Sequence, residues 1–111
     1  MKEHSDDTQT PMADFQRRAE KAFAIADDKS LPRWRRTLIA LKAFSGMELT
    51  GLPPKVYQAI EEHFVAVNRI LHQYDLKKAV DYEHMTESDL QAILDLIKAL
   101  ASRAAPAASR R

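Results

Sequence analysis

Four apolar stripes, each built on three- and four-residue steps, constrain this chain more than any other feature. The cleanest is Leu90, Ile93, Leu94, Ile97, Leu100, Ala101 and Ala104. At 100° per residue these side chains share one helical face, and such a face must be covered by another element. Met12, Phe15, Ala19, Ala22, Phe23 and Ala26 make a second stripe, and Leu31, Trp34, Leu38, Leu41 and Phe44 a third. Val56, Ile60, Phe64, Val67, Leu71 and Tyr74 make the fourth, widened by Ala59 and Ile70. No segment alternates with the two-residue rhythm of a strand, and β-branched residues never cluster. Stripes of this width have to be buried against one another. The expected fold is therefore all-α, a compact bundle of about four amphipathic helices over 11–27, 31–45, 54–74 and 87–104.

Helix boundaries follow from capping chemistry. Thr10 before Pro11 is a start signal, a hydroxyl for a free N–H followed by proline at the first helical position. Asp27 and Asp28 oppose the helix dipole and mark the end of that segment. Ser30 is the expected cap of the second helix, with Pro32 in its first turn. Both glycines of the chain and two of its five prolines fall in FSGMELTGLPPKVY, residues 44–57. One abrupt corner accounts for them: Gly46 ends helix two in a left-handed conformation, Gly51 turns the chain, and Pro53 and Pro54 open helix three. Leu76, Ala79 and Val80 predict a short helix near 76–80, with Asp75 as its cap. Thr86 and Asp89 match a capping box for the last helix. Residues 1–9 read as a disordered leader, 10–105 as one helical-bundle domain and 106–111 as a flexible basic tail.

Composition narrows the chemistry. With 17 Lys and Arg against 16 Asp and Glu, net charge is only +1, little for a protein that lives on phosphate contacts. Cysteine is absent, which excludes disulfides, thiolate nucleophiles and cysteine zinc sites. No GxSxG, Walker, GxGxxG or HExxH pattern occurs. Asp27–Asp28 and Glu61–Glu62 are adjacent pairs whose carboxylates point to different sides of a helix. His63 sits at the edge of the fourth stripe, where a partly buried, hydrogen-bonded imidazole is expected. His72 projects outward, and His84 beside Asp81 and Glu83 lacks metal-ligand spacing. The expectation is no enzyme, no cofactor and no metal. MKEHSDDTQT lacks the apolar core of a signal peptide, and no apolar run spans a bilayer, so a cytoplasmic protein without membrane contact is expected.

Two binding surfaces remain. Ile39, Val65 and Leu96 lie off the main stripes of helices two, three and four, a surplus that suits a protein partner or a second copy of the chain, with Arg35, Lys42 and Arg69 as polar rim. The alternative is DNA. RWRR, residues 33–36, sets basic residues around an aromatic, and ELTGLPPKVYQAIEEHFVAVNRIL has the rhythm of a helix-turn-helix. Its contacts would come from Arg33, Arg35, Arg36, Lys42, Lys55 and Arg69. Against this, Trp34 projects into the apolar stripe, and Arg33 and Arg36 lie opposite Arg35 and Lys42. The supposed turn, Glu61, Glu62 and His63, consists of helix formers, two of them acidic. The reading is a small non-enzymatic interaction or regulatory module, with the DNA-binding regulator as its alternative.

Overall fold

The computed structural model describes residues 10–104, and the leader and tail expected at 1–9 and 106–111 lie outside the described residues. Four α-helices run Pro11–Ala26 (α1), Arg33–Lys42 (α2), Pro54–Leu71 (α3) and Glu87–Ala104 (α4), with a 3-10 helix at Ala79–His84 before the last. No strand occurs among the described residues. The Thr10 hydroxyl accepts the Ala13 N–H at 3.2 Å, so α1 begins as its sequence predicts. Pro53 and Pro54 take the N-cap and first helical positions of α3. Gly46 and Gly51 have φ of +74° and +94°, left-handed values that side-chain-bearing residues rarely adopt. The corner at 46–54 therefore has the expected chemistry.

The helix α4 is the axis of the bundle. Its whole stripe, Leu90, Ile93, Leu94, Ile97, Leu100, Ala101 and Ala104, is buried. α1, α2 and α3 all pack on it, α1 also packs on α2, and α2 meets the 3-10 helix. Among the described elements α3 comes backbone-close to α4 alone. A column of rings supplies its other attachment. Phe15 of α1 stands 6.3 Å from Phe44, Phe44 is 5.8 Å from His63, and His63 is 5.3 Å from Phe64. These edge-on and tilted contacts tie α1 through the corner to α3.

Several local expectations are corrected. The second helix starts at Arg33, not 31, because Pro32 is extended at φ −59° and ψ 152° and serves as the N-cap. Ser30 caps nothing there. Its N–H and hydroxyl both donate to Asp28, at 3.0 and 2.6 Å, which folds the α1–α2 link into a local turn. The ends expected at 45 and 74 fall at Lys42 and Leu71, where i→i−3 bonds such as Phe44 N–H to Leu41 O and Tyr74 N–H to Leu71 O tighten the last turn. The short helix lies at Ala79–His84 rather than near 76–80. Asp81, not Asp75, organises its start: one carboxylate oxygen accepts the N–H groups of Lys77 and Lys78 at 2.7 and 2.8 Å.

α2 also sits rotated from its predicted face. Arg36, Thr37, Ala40 and Phe44 are buried, while Leu31, Trp34, Leu38 and Leu41 are only half-buried along its flank. Small side chains at Thr37 and Ala40 let the α2 backbone approach α1 and α4 closely. The Thr37 hydroxyl is satisfied by the Arg33 carbonyl at 2.9 Å, so its burial leaves no orphan donor.

Candidate interaction surface

Arginines expected on the surface turn out to secure helix ends. Arg36 is buried at 8% exposure, with its guanidinium donating to Ala26 O at 3.1 Å and Leu31 O at 3.2 Å. These carbonyls lie at the end of α1 and in the following turn, where helical partners run out. Arg18 of α1 returns the favour at the far end of α2, donating to Ala43 O at 3.2 Å and Ser45 O at 2.6 Å while its Nε pairs with Asp14 at 2.7 Å. The two helices thus cap each other. Arg33 pairs with Glu87 across to α4. Arg35 lies over the Trp34 ring at 5.8 Å. Of the six residues named for DNA, Arg36 is enclosed and Arg33 engaged, while Arg35 and Lys42 are exposed on α2 and Lys55 and Arg69 on α3, two helices that are not backbone-close to each other. α3 runs unbroken through Glu61, Glu62 and His63, with no turn between two shorter helices.

Other charged groups also serve the fold. The Lys98 ammonium holds Asp27 at 2.9 Å, and that hydrogen bond keeps the Asp27 carboxyl below the usual aspartate range. Asp28 is lowered by its bonds from Ser30, and Asp81 by the backbone N–H groups of Lys78 and Lys77. At the start of α4 the predicted capping box is half right. Thr86 Oγ1 accepts the Asp89 N–H at 3.1 Å, but the Thr86 N–H goes to the Tyr74 hydroxyl at 3.3 Å, which in turn donates to the Asp89 carboxylate. A tyrosine twelve residues upstream is inserted into the motif.

Ile39, Val65 and Leu96 have different environments. Ile39 and Leu96 are half-buried, Leu96 against the core. Val65 is 56% exposed, the most open large apolar residue among those described, and Tyr57, two turns earlier on the same helix, is 39% exposed. Around Val65 runs a shallow depression of about 700 Å³ lined by Gln58, Glu61, Glu62, Phe64, Ala66 and Arg69. Phe23, placed by sequence in the first stripe, is instead 42% exposed, with the Lys98 ammonium 5.6 Å from its ring. It edges a separate cleft of about 600 Å³ between α1 and α4, walled by alanines such as Ala13, Ala19 and Ala101.

His63 departs furthest from expectation. It is 5% exposed, and neither ring nitrogen has a partner in hydrogen-bond geometry. Burial holds its pKa below the ordinary 6.5, offset in part by the nearby backbone of Leu96. An unfolded chain binds the proton first as pH falls, so the stability that neutral His63 supports is complete above 6.5 and is lost as pH drops below it. Urea unfolding followed at intervals from pH 7.5 down to about 5 should show this loss, before carboxylate protonation dominates. A His63→Leu variant should be flat over the same interval. A wild-type curve as flat as the variant's would show that His63 is hydrated.

Among the described residues no group of three or more His, Cys, Asp or Glu side chains could hold a metal ion. No helix among them is long and apolar enough to cross a membrane. Compared with protein-family models, curated proteins and solved structures, the chain matches none of them significantly.

Proposed function

We propose that this chain is a non-enzymatic interaction module that binds another protein, or a second copy of itself, through the outer face of α3. The observation that carries this is the position of Val65. It is exposed on an 18-residue helix that is backbone-close to only one other described element. An aliphatic side chain in that setting, with Tyr57 nearby and charged residues around it, has the make-up of a small contact site with an apolar centre and a polar rim. Half-buried Leu96 packs against the core, and Ile39 lies on α2, which is not backbone-close to α3, so they add little to it. Arg35 and Lys42 lie on α2, leaving Arg69 as the rim residue that shares a face with Val65.

Solution mass by light-scattering chromatography tests the proposal, at low and high salt, with and without mixed duplex DNA. Association that survives high salt and ignores DNA is the expected result. Retention on duplex DNA at low salt, released steeply as salt rises, would instead mark a phosphate-binding protein.

A further inference from the structure

We infer that the occupant of the α3 face is a second copy of this chain, docked antiparallel with Val65 of one copy against Val65 of the other. The inference rests on the interaction reading and adds the partner and its register. Glu61 and Arg69 stand four residues before and after Val65, about 40° to either side of it at 100° per residue. Both are exposed, and neither is ion-paired among the described residues. A two-fold axis at Val65 sets each residue of one helix beside the residue equally far past Val65 on the other. Glu61 of each copy then meets Arg69 of its mate, twice over. Gln58 and His72 are brought together by the same operation. One patch supplies both halves of the contact, as closed two-fold association requires.

The charge pattern also selects the direction. A parallel pairing would place Glu61 against Glu61 and Arg69 against Arg69, which repels at both ends. Only the antiparallel arrangement turns the same four charges into two attractive pairs. A helix of 18 residues is about 27 Å long, so one of its faces falls short of the ~800 Å² per partner of a standard interface. The dimer is therefore a weak one that dissociates on dilution. Val65 supplies its apolar contact at the centre, while the charges set register and partner choice.

The experiment is a charge swap read by light scattering over a concentration series. Glu61→Arg carries arginine at both ends of the patch, and Arg69→Glu carries glutamate at both. The wild-type chain should approach twice its monomer mass at high concentration. Each variant alone should self-associate about tenfold more weakly or worse. An equimolar mixture of the two should regain the wild-type dimer, because each contact again joins opposite charges. That regain also shows that both variants are folded. Variants that dimerise as well as wild type would overturn this register while leaving self-association that does not depend on the Glu61–Arg69 pairs, and with it the reading of the chain as an interaction module. A wild-type chain monomeric at every concentration would overturn the self-partner and leave a different protein as the ligand. Salt-sensitive retention on duplex DNA would overturn both.

Discussion

Replacing Arg36 with alanine lowers the free energy of unfolding by about 2–4 kcal/mol, although arginine is ordinarily a surface residue. The guanidinium is enclosed and serves two carbonyls, Ala26 O and Leu31 O, which have few alternatives once α1 has ended. Removing it leaves those acceptors unpaired, at about 1–3 kcal/mol for a buried group, and takes away the packing of its methylene stem. Arg36→Lys separates the two contributions. Lysine keeps a stem and a charge but lacks the planar fork that reaches both oxygens, so it should recover only part of the loss. Urea unfolding followed by circular dichroism measures all three chains. A loss under about 0.5 kcal/mol for the alanine variant would mean that water replaces the guanidinium at both carbonyls.

That role was not legible in the sequence, for a physical reason. Arg36 is recognisable as a cap only when the end of α1 is known to lie beside α2, a relation between segments rather than within one. Tyr74 is hidden in the same way, its hydroxyl completing a cap twelve residues along the chain. Local signals read well. The stripe of α4 is buried in full, because one helix with three neighbours needs a wide apolar face. Thr10, Gly46 and Pro54 act as their chemistry predicts. α2 misled because two faces compete. Counting large apolar side chains favours Trp34, Leu38 and Leu41, whereas close helix approach favours Thr37 and Ala40, and close approach wins. Val65 could be picked out as an aliphatic among polar neighbours on α3. Ile39 and Leu96 could not be told from it, since their exposure depends on helices that the sequence does not place.

The largest expected effect belongs to Phe44, and it couples stability to pH. Phe44 is 2% exposed and stands between Phe15 and His63, where it joins α1 and the corner to α3. Phe44→Ala should cost about 3–5 kcal/mol, the range for emptying a buried aromatic site. The vacated volume lies beside the His63 imidazole, whose nitrogens make no hydrogen bond of good geometry, and polar groups of that kind draw water into a space large enough for it. Hydration removes the main cause of the lowered His63 pKa, which should return toward 6.5. Once the folded and unfolded chains bind the proton equally well, the stability lost below pH 6.5 shrinks as well. Phe44→Leu is the control, because leucine fills most of the site and should cost less than the alanine variant while keeping His63 dry and its pH slope intact. If Phe44→Ala keeps the wild-type slope, α4 at Leu96 is what shields the imidazole. In that case Phe44 holds α3 by contact alone.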